Sequence, residues 1–194
     1  MPRSAFDEIR EDEYSVASDA AELGRELIAE FPDAFGHLES ATVGYLFRDD
    51  EVRDHETAVV VASAHLFSQL ISGGGTKYFG RLVKWAVIQL LGFQPDFLIL
   101  IDRNLWSGFD RTEKRFYLDH ELEHCIQKKT EDDVPRFNQV TGEPVWGIKP
   151  HDQELFYGTM QRHGLVPESY REMAGVVVDA ALRDAEKLKP KAVA

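Results

Sequence analysis

The sequence has a single cysteine, Cys125. One thiol cannot close an internal disulfide, so the fold must hold without covalent cross-links, a usage that suits a reducing, cytoplasmic compartment. Long apolar runs are also missing: no stretch reaches the roughly 20 residues that a membrane-spanning helix needs. The N-terminal residues are acidic, with no basic segment leading into an apolar one, so no signal peptide is expected. Basic residues are scarce, 22 Lys and Arg against 34 Asp and Glu, for a net charge of −12. A surface of that sign repels phosphate backbones, so nucleic acid is not an expected main partner unless charge is locally segregated, and without a spanning segment no membrane is expected as a partner. The basic clusters Lys128-Lys129 and Lys187 to Lys191 read as solvated charge. Gly73-Gly74-Gly75 is not followed by the Lys-Ser/Thr of a phosphate-binding loop, which removes a nucleotide site and leaves a flexible joint.

What is present is the composition of an ordinary globular protein, 43% hydrophobic and 29% charged over 194 residues, enough for one sizeable core. We expect an acidic N-terminal arm over 1–16, one domain over 17–188 and a short tail over 189–194. Apolar spacing predicts a helix over 18–31, capped by Ser18 or Asp19 and stopped by Pro32. Strands are predicted over 41–48 and 57–65, joined as a hairpin, and over 97–101, whose unbroken apolar run reads as buried. A buried helix over 81–91 ends at Gly92. Beyond a polar loop over 128–142, an edge strand over 144–148, a helix over 150–163 and a last helix over 167–188 complete an α+β fold, a small mixed or antiparallel sheet packed on helices.

The chemistry concentrates in His120-Glu121-Leu122-Glu123-His124, an H-E-x-x-H pattern on a helix predicted to start at Thr112 and run to Ile126. Residues i and i+4 share a helix face, so two imidazoles can grip one Zn²⁺ from one side. Glu121 borders that face, where a carboxylate can take a proton from an activated water. Cys125 turns about 100° away from His124 on such a helix and reads as a buried small residue. A catalytic site needs a third protein ligand and an open position. The extended pattern H-E-x-x-H-x-x-G-x-x-H fails, because Gln127 and Thr130 stand where glycine and histidine are required. The candidates lie further along, three residues apart: His151, which we favour, and Glu154. With His151 as ligand, Asp152 or Glu154 would orient a ligand imidazole. His55 and His65 have no partner at ligand spacing.

With these residues in view the chain resembles the phage metallopeptidase family, a zincin-like group of phages and prophages. The resemblance runs over about residues 41 to 166. It rests on Tyr45 to Arg48, on Phe97 to Ile101 with Trp106, and on Leu118 to Cys125. Trp146 to Asp152 and Arg162 to Leu165 complete it. It implies a gluzincin- or SprT-like fold in which the metal helix lines a cleft and a neighbouring strand binds an extended peptide. The expected activity is zinc-dependent hydrolysis of a protein or peptide substrate in the cytoplasm, that of the bacterial host if phage-encoded. Zn²⁺ would sit on His120, His124 and His151, with Glu121 as general base. The competing reading is a non-catalytic binding protein on the same scaffold that engages a host or phage partner; a DNA-associated protease is disfavoured by the charge.

Overall fold

The computed structural model describes residues 13–49, 52–54, 58–73, 77–151 and 157–164. Strands β1 (Tyr14–Val16), β2 (Val43–Arg48), β3 (Arg53–Asp54), β4 (Ala58–Val59), β5 (Ala62–Leu66), β6 (Phe97–Asp102), β7 (Cys125–Gln127) and β8 (Trp146–Ile148) alternate with seven helices. These are α1 (Ser18–Glu30), α2 (Pro32–Phe35), α3 (Phe67–Gly73), α4 (Lys77–Leu91), α5 (Arg103–Gly108), α6 (Arg111–His124) and α7 (Tyr157–His163). The fold is mixed α+β. The predicted helix over 167–188 and the tail fall outside the described residues, as does most of the N-terminal arm, although its last residues form β1.

The main sheet has the order β1-β2-β6-β5. β6 runs parallel to β2, with Val43 opposite Phe97 and Arg48 opposite Asp102, while β1 and β5 are antiparallel to their neighbours. The expected hairpin between 41–48 and 57–65 does not form. β6 is buried along nearly its whole length and takes the central place between β2 and β5. A continuous apolar strand requires cover on both faces and both edges, and that outweighs the short connection a hairpin would offer. The connection instead carries its own small ladder, β3 with β4.

Each face of the sheet has its own core. On one, Tyr45, Phe97, Ile99 and Ile101 pack with Ala20, Leu23 and Leu27 of α1, with Leu118 and Leu122 of α6, and with Trp106. On the other, Leu46 and Leu98 meet Phe67 and Val87, with Leu70, Ile71 and Val83 of α3 and α4 around them. α4 therefore lies on the opposite face of the sheet from α6. It begins at Lys77, one turn before the predicted start, and ends as expected at Gly92, whose φ of 79° suits glycine.

Three local expectations are corrected. α1 has no side-chain cap at its start; Asp19 instead accepts the indole N–H of Trp106 at 2.8 Å. α6 is capped by Asp110 rather than by Thr112. The Asp110 carboxylate accepts from the backbone N–H groups of Thr112 and Glu113, and Glu113 accepts from that of Asp110, a reciprocal capping box. α6 also stops at His124, because Cys125 to Gln127 find strand partners in Trp146 to Ile148. The intervening polar stretch folds back on itself through bridges between Lys129 and Pro135 and between Phe137 and Pro144.

Because the cap fixes the start of the helix that carries the histidines, Asp110→Ala is expected to cost about 1 kcal/mol. Urea unfolding should show a lower midpoint at unchanged slope; an unaltered midpoint would mean that the box contributes nothing.

Candidate metal centre

α6 puts His120 and His124 one turn apart, their ring centroids 5.3 Å from each other. The third imidazole arrives from the other side. After α6 the chain enters β7, returns as β8, and its extension lies along the end of the helix. Lys149 N–H donates to the His124 carbonyl at 2.9 Å, and the Lys149 carbonyl lies 2.7 Å from His124 Nδ1. A carbonyl only accepts, so Nδ1 carries the proton and His124 keeps the Nε2 lone pair for a ligand. Two residues on, His151 Nε2 lies 2.9 Å from His120 Nε2. One ligand atom from each of His120, His124 and His151 lies within 4.8 Å of the others. The two helix histidines are half-buried and His151 is exposed, which leaves the group open to solvent on one side.

The protonation states suit a cation. Burial, helped by His124 and His151, pushes the His120 imidazole down to about 3. Burial also lowers His124, against the hydrogen bond to Lys149. Both are neutral near pH 7, the form that binds metal. Glu121 is only 6% exposed, and burial lifts its carboxyl to about 8, opposed by a hydrogen bond from the Ala64 N–H of β5. Its Oε2 has no hydrogen-bond partner among the described residues. Glu121, a buried carboxylate with an orphaned oxygen, follows His120 directly on α6, and three converging imidazoles with such a carboxylate in the same helix are residue types that would suit a metal with an attached water. The group fits one ion with nitrogen ligands.

The far flank of α6 is held by a network the sequence reading missed. Asp119 is fully buried. It accepts from Thr159 Oγ1 at 2.8 Å, from Arg162 Nε and Nη2 at 2.8 and 2.7 Å, and from His163 Nε2 at 3.0 Å. Arg162 reaches on to Glu123 at 2.5 Å and lies over the rings of Phe31 and Phe35. Burial alone would raise the Asp119 carboxyl; the bonds from His163, Arg162 and Thr159, with the Arg162 charge, overcome it and hold the carboxyl below its ordinary range. Gly158 allows the approach, since a Cβ there would stand 2.2 Å from Glu123 Oε1. Asp119 directly precedes the motif, and Thr159, Arg162 and His163 share one helix face. That spacing was the available signal.

Of the other sequence candidates, Asp152 and Glu154 lie outside the described residues, as does His55. His65 bonds Ser63 Oγ at 3.0 Å and stands apart from the three histidines. Cys125 is buried, its thiol raised well above the usual value, as expected of a core residue. Trp106 is a core anchor. Two cavities of about 600 and 580 Å³ lie elsewhere, and neither is lined by the three histidines.

The family model described as "Putative phage metallopeptidase" matches residues 12–181. No curated protein and no solved structure matches the chain.

Two predictions follow from the charges around α6. Asp119 has a lowered folded pKa, so its contribution is present above the unfolded value of about 3.9 and is lost as pH falls through the folded one. Arg162→Ala strips a buried carboxylate of its bidentate partner and should cost about 3 kcal/mol at pH 7. The gap from wild type should narrow in acid, as thermal melts across pH would read; a constant gap would show that the charge is not what matters. Glu121 has a raised folded pKa, so in metal-free protein its burial erodes stability as pH climbs from about 4.5 toward 8. Metal-free Glu121→Gln should therefore melt above metal-free wild type at pH 8 and not at pH 4. Equal melting temperatures at pH 8 would contradict this.

Proposed function

The chain belongs to the phage metallopeptidase family, and from that premise we propose that it is a zinc-dependent peptidase, zincin-like in fold, that hydrolyses peptide bonds through an activated water. The observation that carries this reading is the convergence of His120, His124 and His151 from two separate segments, with ligand atoms within 4.8 Å. Three nitrogen ligands with one side open is the composition of catalytic rather than structural zinc. Bound there, the ion would supply Lewis acidity, lowering the pKa of a water and polarising a carbonyl.

The chain's own residues do the rest. His124 is held in its donor-ready tautomer by the Lys149 carbonyl. Glu121 is the general base: its Oε2 takes the proton of the attacking water and returns it to the leaving amine. A carboxyl raised to about 8 by burial falls toward neutrality beside a positive charge, where a base works best. β5, at the end of the strand order and hydrogen-bonded to Glu121 through Ala64, is the strand along which an extended substrate would lie.

Glu121→Gln keeps the shape of the side chain and removes the base. Zinc content should stay near one per chain while cleavage falls by about 10²–10⁴-fold, measured on a proteome-derived peptide library. Cleavage by the variant at the wild-type rate would remove Glu121 from the mechanism. If wild type binds zinc and cleaves nothing, the scaffold serves as a non-catalytic binding protein.

A further inference from the structure

The net charge of −12 hides a segregation along the chain. Residues 57–95 contain no Asp or Glu at all, and they hold Lys77, Arg81 and Lys84. All three cations belong to α4. The inner side of this helix is spent on the core: Gly80 and Val87 are buried, and Val83 and Leu91 pack against the second cluster. Its outer side is apolar again. Tyr78, Leu82 and Trp85, at positions i, i+4 and i+7, form one stripe, with Tyr78 78% and Trp85 60% exposed. Phe79 and Arg81 flank it, both exposed. Six of the eleven exposed large apolar residues among those described fall between Tyr78 and Phe93. Scattered exposed apolar residues need no explanation, but a concentrated stripe does.

We propose that the outer face of α4 docks the protein onto an anionic lipid surface. Tyr and Trp combine an apolar body with a polar edge and settle at the headgroup boundary, and Leu82 and Phe79 add apolar area between them. Arg81, exposed beside the stripe, attracts acidic headgroups. Tyr78, Leu82 and Trp85 share one helix face and line neither of the cavities of about 600 and 580 Å³. Exposed Tyr and Trp edges with a neighbouring cation, on a helix that carries no carboxylate, suit an anionic headgroup layer. The acidic remainder of the chain repels the same surface, so attachment is oriented through this one face and weakens with salt. No helix among the described residues is long and apolar enough to cross a membrane, so the attachment is peripheral. Since α4 and α6 cover opposite faces of the sheet, the three histidines stay turned away from the bilayer. The proposal does not depend on the peptidase reading.

The test is co-sedimentation of the full chain with phosphatidylcholine vesicles, with and without phosphatidylglycerol, while tryptophan emission is followed. Trp106 is buried and Trp146 half-buried, so a blue shift on binding reports Trp85. Binding should be at least about tenfold stronger to the anionic vesicles, as a few interfacial cations imply, and should fall with added salt. Trp85→Ser with Tyr78→Ser, and separately Arg81→Glu, should abolish it; these sites are exposed, and circular dichroism checks that the variants fold. Absence of vesicle binding, equal binding to neutral vesicles, or binding unchanged in the variants overturns the proposal. Concentration-dependent self-association through Trp85 without vesicle binding would give the face to a second copy and overturn it too.

Discussion

The site depends on the hydrogen bond from His124 Nδ1 to the Lys149 carbonyl. It joins the last residue of α6 to the segment that leaves β8, and it fixes at once the tautomer of one imidazole and the position of another. His151 comes within 2.9 Å of His120 because Lys149 is pinned to His124, and Lys149 is pinned because β7 and β8 pair immediately after the helix. The early end of α6 is therefore part of the site. Had the helix run on through Ile126, the strand that returns His151 would have had nothing to pair with.

Around this junction α6 carries a buried carboxylate on each flank, and the two have opposite surroundings. Asp119 is buried as an anion and fully bonded to Thr159, Arg162 and His163. Glu121 is buried with one oxygen served by Ala64 and the other without a hydrogen-bond partner among the described residues. A satisfied buried charge holds structure together, whereas an unsatisfied one costs free energy that a bound cation can return. The two carboxylates lie two residues apart, and only their partners distinguish the clamp from the candidate base.

Much of this was legible in the sequence because it is local. The H-E-x-x-H spacing is a property of one helix face, and the apolar run of β6 announces a buried strand wherever its neighbours come from. His151 could be nominated because few residue types complete such a ligand set. Strand order was not legible. Whether β2 pairs with its successor or with β6 is decided by which strand most needs cover, a comparison across the whole sheet. The cap at Asp110 was missed by two residues because Thr112 is also a good capping type; the reciprocal bond with Glu113 decides between them. Net charge is one total over the chain and does not report that residues 57–95 hold no Asp or Glu.

The central claim is that three imidazoles from two segments share one metal ion. X-ray absorption at the zinc edge, on protein loaded with one equivalent of zinc, tests it most directly. The account predicts a four-coordinate ion with three imidazole ligands at about 2.0–2.1 Å and one further oxygen. His151→Ala should lose one imidazole from that shell. A wild-type shell with only two imidazoles, or one unchanged in His151→Ala, would contradict it.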